Sequence, residues 1–207
     1  EPARVRAEAV VALGVGEAEV LRTLLQDPDT VVRTQAARTL RVSAGAASDK
    51  PPPSADAVDA WVKILASGGD PDAGERVFFS PMSTCAQCHR ADGRGGTVGP
   101  DLSLIARTAG REQIVRSIVA PSEEIAPQYQ GWEIEQKTGE VLTGLQGHWR
   151  TGGGASLILL DGSEVRLGGD QVATFRAMEK SLMPEGLAAL FTVEELRDLV
   201  AYLSRRR

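Results

Sequence analysis

Cys85-Ala86-Gln87-Cys88-His89 is the most informative stretch of the chain, because it holds both cysteines of the sequence and one of its two histidines. The two thiols are three positions apart, so on a helix they lie on one face, about one turn from each other. The imidazole of His89 follows the second thiol directly. Two sulfur groups and a ring nitrogen grouped in this way predict a site that holds a cofactor or a metal.

The order Cys-x-x-Cys-His is the attachment sequence of a c-type haem. Two thiols on one helical turn reach the two vinyl groups at one edge of a porphyrin, and the next residue then directs its imidazole at the iron. We therefore predict one covalently bound haem c per chain. Cys85 and Cys88 are the predicted attachment points, and His89 is the predicted proximal ligand of the iron.

Two other uses of these residues are open at this point. A thioredoxin-like dithiol requires the cysteine pair to follow a strand in a βαβ unit, whereas here Cys85 follows a predicted helix. A zinc site would need Cys85, Cys88, His89 and His148 together. His148 is far along the chain from His89, unlike the local second ligand pair of a zinc finger. The haem interpretation is the one that the spacing favours.

The second axial position of a histidine-ligated haem is taken by methionine, by histidine or by no residue. We predict Met183 as the sixth ligand, because it lies on the loop Ser181-Leu182-Met183-Pro184 just before the final predicted helix. Met178, His148 and an open site are the alternatives. Met82 lies three residues before the attachment segment and is predicted to be a packing residue.

The chain begins with a helical segment that contains a repeat. Residues 1–42 are predicted to be helical, and the pattern of residues 5–13 recurs in residues 32–40. The second copy resembles the short HEAT-like repeat, at Asp29, Val32, Arg33, Ala36 and Leu40. Such repeats bury their apolar faces only by stacking, so we expect the C-terminal end of a longer solenoid. Residues 43–55, with three consecutive prolines, are the predicted linker.

Residues 56–207 are predicted to form the second domain. The helix pattern covers residues 56–66, 72–79, 111–119 and 192–204, and Thr192 with Glu195 forms a capping box. Between residues 129 and 175 the period changes to two, which predicts four or five short antiparallel strands. We interpret residues 129–178, approximately, as a β insertion between the helix that ends near Pro121 and the Met183 loop.

From about Asp70 to Leu203 the chain resembles the haem-binding domain of class I cytochromes c, and most closely the type found in planctomycete and verrucomicrobial multidomain proteins. The resemblance covers about two-thirds of the chain, and it is carried by Gly74, Phe78, Cys85-Ala86-Gln87-Cys88-His89-Arg90, Gly99-Pro100-Asp101-Leu102, residues 117–122, residues 125–127, Ser181-Leu182-Met183-Pro184 and residues 196–203.

This resemblance implies a mainly α fold: a HEAT-like helical segment followed by the class I cytochrome c helical fold with a small antiparallel β insertion. It also implies that Gly74 on the first helix of the domain meets Tyr202 on the last. The carbonyl of Pro100 is expected to accept a hydrogen bond from Nδ1 of His89 and so to orient the ring.

The predicted function is single-electron transfer by a His/Met-ligated haem, without an enzyme activity of its own. The resemblance implies that the electrons come from a dehydrogenase, of which this chain would be the electron-accepting domain. A haem-based ligand sensor or peroxidase with an open distal site is the main alternative. A solenoid that docks a partner, with the haem as a minor feature, is a third. Covalent haem attachment takes place outside the bacterial cytoplasm, so we expect a periplasmic or other extracytoplasmic protein. We identify no signal-peptide pattern in these residues and expect a mature fragment.

The composition and net charge limit the kinds of partner that the protein can have. The hydrophobic fraction is 42%, and no apolar run approaches the roughly 18 residues that a membrane helix needs, so no membrane span is expected. The formal net charge of -5 provides no basic field for a nucleic-acid backbone. It favours a redox protein partner with a basic docking face. Aromatic residues are only 4% of the chain, so Ala, Val and Leu must fill the core unless a large apolar cofactor adds bulk.

Overall fold

The computed structural model describes residues 18–29, 32–33, 35–37, 53–54, 57–80, 83–149 and 154–205. The chain divides into two compact units, which are considered one at a time. The first is Glu1–Pro52 with Ser80–Met82, and the second is Pro53–Phe79 with Ser83–Arg207.

In the first unit, helix α1 spans Ala18–Leu24, and residues 32–33 and 35–37 are helical as well. Leu21, Val32 and Ala36 are fully buried and form a small core. Arg33 donates from Nη1 to the carbonyls of Asp27 at 2.6 Å and of Pro28 at 2.8 Å, which fixes the turn before the second helical stretch. Leu40 and residues 5–13 lie outside the described residues, so the HEAT-like repeat stays a prediction.

The second unit contains the other helices. The α-helices are α2 (Val58–Ile64), α3 (Pro71–Phe78), α4 (Cys85–Cys88), α5 (Arg111–Val119) and α6 (Val193–Ser204). Short 3-10 helices span Ile105–Arg107, Pro127–Tyr129 and Leu187–Leu190.

Helices α3 and α6 cross in close contact at Gly74. A side chain there would meet the backbone carbonyl of Asp198 and would place its Cβ 2.8 Å from Cβ of Tyr202. The expected meeting of Gly74 with Tyr202 is therefore present. The carboxylate of Asp198, itself buried, accepts from the backbone N–H of Asp70 at 2.7 Å and ties the start of α3 to the middle of α6.

Local signals account for where these two helices begin. Asp70 caps α3, accepting from the backbone N–H of Asp72 at 2.9 Å, and Pro71 occupies the first helical position, where a missing N–H costs nothing. The predicted capping box of α6 is confirmed: Thr192 accepts from the N–H of Glu195 at 3.1 Å, and Glu195 accepts from the N–H of Thr192 at 2.9 Å.

The main hydrophobic core lies among α2, α3, α5 and α6. Its largest fully buried side chains include Trp61, Phe78 and Tyr202, so three of the few aromatic residues of the chain lie in this core. Arg111 donates from Nε to the carbonyl of Leu65 at 2.6 Å and from Nη2 to that of Gly68 at 2.8 Å, which satisfies carbonyls at the end of α2.

Five antiparallel strands follow in the region where the two-residue period predicts them. They are β3 (Gly131–Gln136), β4 (Val141–Trp149), β5 (Ala155–Ile158), β6 (Glu164–Leu167) and β7 (Val172–Ala177), in the sheet order β6-β5-β4-β3-β7. A separate two-stranded hairpin, β1 (Arg90–Ala91) with β2 (Arg94–Gly95), follows α4.

The five-stranded sheet is curled. Strands β6 and β7 form its two edges, yet only residues 168–171 connect them, in a tight turn in which Gln171 N donates to the Gly168 carbonyl at 3.0 Å. The edges of a flat five-stranded sheet would lie about 19 Å apart, at about 4.8 Å per strand. The curl encloses a small core of its own, in which Ile134 and Leu157 are fully buried and Trp132 stacks on Phe175.

The expected mainly α fold class is wrong. The fold is mixed α and β, with 38% helix and 19% strand, and the share of strand is close to that of ordinary mixed domains. The physical reason is that the strands pair into one continuous sheet that has its own core. The resemblance to helical cytochromes led us to expect a small insertion instead.

Candidate functional site

The Cys-x-x-Cys segment forms one short helical turn that the following loop holds in place. The N–H of His89 donates to the Cys85 carbonyl at 2.9 Å and closes the turn of α4. Two glycines that follow the β1–β2 hairpin donate hydrogen bonds to carbonyls of α4. Gly96 N donates to Ala86 O at 2.9 Å, and Gly99 N donates to Cys88 O at 2.8 Å. Only glycine fits at position 96, because a Cβ there would collide with the Gln87 carbonyl.

His89 is oriented by the residue predicted to orient it. Its Nδ1 lies 3.0 Å from the carbonyl oxygen of Pro100. Because a carbonyl only accepts, Nδ1 carries the proton and Nε2 keeps its lone pair. Burial lowers the pKa of His89, and the bond to Pro100 partly offsets that effect. The neutral ring is therefore favoured, and neutral imidazole is the form that binds a metal.

Both thiols are free, and their environment does not suit redox exchange. Burial is the largest influence on each and raises the pKa of Cys85 and of Cys88. A reactive Cys-x-x-Cys pair needs a lowered pKa, because the thiolate is the nucleophile. This finding weighs against the dithiol alternative.

The structure tests the zinc alternative only in part, within the residues that it describes. There, three or more His, Cys, Asp or Glu side chains do not come together anywhere as a metal-binding group. The side chain of His148, on β4, lies outside the described residues, and so does Met82.

Cys85, Cys88 and His89 line one cavity of about 300 Å³. That volume is at the lower end of the range typical of ligand and cofactor sites, about 300–1,000 Å³. Most of its wall is apolar, with side chains from α3, α5, α6 and the loops between them: Phe78, Leu102, Ile105, Ile114, Ile118, Phe191, Leu199 and Leu203.

The serine hydroxyls in this wall are occupied by the chain itself. Ser83 donates to the Phe78 carbonyl at 3.0 Å, and Ser117 donates to the Gln113 carbonyl at 2.9 Å. The Ser181 hydroxyl accepts from the N–H of Met183 at 3.1 Å. The cavity thus presents a mainly apolar surface. Its other polar side chains are the imidazole, the two thiols, and Thr84, Glu124 and Tyr129, of which Thr84 and Glu124 are exposed to solvent.

Of the two methionines that the structure describes, only Met183 lines this cavity. It lies there with Ser181, Leu182 and Pro184, the loop singled out from the sequence. The sulfur of Met178 instead lies beside Gly131, 3.1 Å from where a Cβ would stand, at the start of β3. The geometry favours Met183 over Met178 as the thioether available to a bound group.

The sheet supplies part of the wall, which the sequence did not reveal. Leu145 on β4 and Leu160 in the turn after β5 line the cavity, and so does Tyr129 just before β3. Leu145 is buried, whereas Leu160 is 48% exposed and therefore lies at the rim. The two-residue period shows that alternate residues share a face of the sheet, but it does not show which face meets the helices.

These residues fit a covalently attached haem. A porphyrin needs an apolar enclosure, two thiols within one helical turn, and an axial nitrogen held by an outer hydrogen bond. The cavity provides all three, and it adds a thioether from a separate loop.

No known protein-family model matches the chain, and none of the curated proteins is significantly similar to it. Among the described helices none has the length and apolar character that crossing a membrane requires.

Proposed function

We propose that residues 56–207 form a c-type cytochrome domain that carries one covalently bound haem c and transfers single electrons. The observation that carries the proposal is the meeting of Cys85, Cys88, His89 and Met183 in one apolar cavity, with His89 held by the Pro100 carbonyl. The mixed α/β fold does not alter this assignment, because function follows from the site rather than from the fold class.

When bound, the haem supplies an iron centre that alternates between the ferric and ferrous states. Cys85 and Cys88 would hold it through two thioethers, and the neighbouring Thr84 and Gln87 are exposed to solvent. His89 would offer Nε2 to the iron, and the Pro100 carbonyl, which accepts a hydrogen bond from Nδ1–H, would increase the basicity of the ring.

The rest of the wall adjusts the ease of reduction. Met183 offers a neutral thioether, a ligand that raises the reduction potential. The buried leucine and isoleucine side chains give the cavity an apolar wall, which disfavours added positive charge on a bound group.

The partners and the compartment are part of the same proposal. The resemblance to multidomain cytochromes supports a redox protein as the electron donor, such as a dehydrogenase, with this domain as its electron acceptor. The net charge of -5 supports a basic docking face on the partner. Covalent haem attachment supports a periplasmic or other extracytoplasmic location.

A potentiometric titration of the haem-loaded protein, followed by its absorption spectrum, tests the proposal. We expect one reversible wave that fits a one-electron reaction, and we expect the ferrous protein not to bind carbon monoxide, since Met183 fills the sixth position. Rapid binding of carbon monoxide by the wild-type ferrous protein would contradict the carrier assignment and favour the sensor or peroxidase.

A further inference from the structure

The loop that contains Met183 is fastened to the end of α5 by one hydroxyl group. Ser122 lies just after Pro121, a buried residue of the cavity wall that follows α5. Its Oγ accepts a hydrogen bond from the backbone N–H of Ser181 at 3.2 Å. The same Oγ donates to the carboxylate of Glu185 at 3.0 Å. Ser122 therefore binds the Met183 loop on both sides of the methionine.

Two further contacts complete this arrangement. Inside the loop, the N–H of Met183 donates to the hydroxyl of Ser181 at 3.1 Å, so the residue that Ser122 holds in turn holds Met183. Outside it, Lys180 pairs with Glu185 at 2.8 Å. That ion pair is exposed on both sides and contributes little by itself.

We infer that Ser122 is a positioning residue for the axial methionine, an inference that rests on the proposed function. Ser122 is not among the residues that line the cavity, and its hydrogen bonds go to Ser181 and Glu185, so it acts on Met183 through Ser181. With the hydroxyl in place, the loop is held where Met183 lines the cavity. Without it, the N–H of Ser181 and the carboxylate of Glu185 lose their shared partner, and the methionine is more easily displaced.

Competition with imidazole measures this effect on the ferric, haem-loaded protein. Added imidazole binds the iron only when Met183 leaves, so its apparent affinity reports how firmly the loop holds the methionine. In Ser122→Ala we expect imidazole to bind roughly tenfold more tightly, the change that one hydrogen bond of ordinary strength produces. The long-wavelength absorption band of methionine-ligated ferric haem should weaken in parallel.

Shape and general stability are controlled by matched variants. Threonine and valine have nearly the same shape, but Ser122→Thr keeps the hydroxyl and Ser122→Val removes it. Of these two variants, only Ser122→Val should bind imidazole more tightly than wild type. Thr174→Ala removes a hydroxyl that bonds Glu135 on the sheet, at 3.3 Å, and should leave the affinity unchanged. The threonine–valine pair also keeps the test decisive if Ser122→Ala yields little folded protein.

A double-variant cycle separates positioning from a structural role. In a Met183→Ala background the iron is already open, so adding Ser122→Ala should not change imidazole affinity further. Equal affinity in wild type, Ser122→Ala and Ser122→Val would overturn the inference. So would an increase of the same size in the Met183→Ala background. A wild-type protein that carries no covalent haem would instead refute the proposed function.

Discussion

The imidazole of His89 lies directly against the α-carbon of Gly99. A Cβ built on Gly99 would stand 2.6 Å from Cε1 and 2.7 Å from Nδ1 of the ring, closer than real side chains allow. The next residue, Pro100, supplies the carbonyl that Nδ1 binds. Gly99 and Pro100 therefore act together: the first makes room for the ring, and the second fixes its direction.

Replacing Gly99 with alanine should displace the ring and weaken its bond to Pro100. We expect a loss of about 1–3 kcal/mol in the free energy of unfolding of the haem-loaded protein, the usual cost of overpacking. Denaturant unfolding followed by haem absorbance measures it. Gly110→Ala is the control for a glycine-to-alanine change without a steric conflict, because a Cβ there meets nothing within 4 Å and the variant loses only the N-cap preference for glycine at the start of α5. Equal stability of the two variants would show that the ring is not confined by Gly99.

Gly74→Ala should damage the contact between α3 and α6. The added methyl would collide with the backbone carbonyl of Asp198, which cannot rotate away as a side chain can. We expect a loss of about 3 kcal/mol, at the upper end of the range for overpacking. Thermal unfolding followed by circular dichroism tests it, with Gly110→Ala again as the control. For a domain of this size, a difference of 2–3 °C in melting temperature corresponds to a change of about 1 kcal/mol in the free energy of unfolding. A melting temperature that close to the control would contradict the close crossing of α3 and α6 at Gly74.

Met183→Ala should lower the midpoint potential by on the order of 100 mV, since the axial ligand is a main determinant of potential. Met178→Ala should leave it nearly unchanged, because Met178 lies beside Gly131 rather than in the cavity. Spectroelectrochemistry of both variants measures their midpoint potentials and shows which methionine is the axial ligand. If Met178→Ala lowers the potential and Met183→Ala does not, the ligand assignment is wrong.

Stability should fall in acid partly because of Asp70. Hydrogen bonds from the backbone of Asp72 and Ala73 lower the pKa of this capping carboxylate. A lowered pKa in the folded state stabilises the protein above the unfolded value, about 3.9, and that stabilisation is lost as the pH falls through the folded value. Asp70→Asn keeps a capping acceptor without the titration. Denaturant unfolding between pH 6 and 3 should therefore show a shallower loss for the variant, and identical slopes would refute this role.

Several parts of the site could be predicted from sequence because they depend on neighbours along the chain. The spacing of Cys85 and Cys88, the following His89, and the capping box at Thr192 are local patterns with a local physical reason. The contact of His89 with Pro100 and that of Gly74 with Tyr202 came from the family resemblance, and both are present in the structure.

Other parts depend on how distant segments meet, which a single sequence does not reveal. Leu145 and Leu160 are unremarkable residues in a strand region until the curled sheet places them in the cavity wall. Ser122 is a polar residue after a proline until the Met183 loop folds back on it. The prediction of a mainly α fold is wrong for the same reason. Periodicity locates the strands, but it does not show whether they assemble into a sheet with its own core.

Covalent attachment of haem is the most direct test of the central claim. The protein is exported in a bacterium that attaches haem c, and its intact mass is measured before and after extraction with acidified organic solvent. The account predicts a mass increased by one haem that survives extraction in wild type and disappears when Cys85 and Cys88 are both replaced by alanine. A wild-type protein with the mass of the bare polypeptide, or one that loses its colour to the solvent, would contradict it.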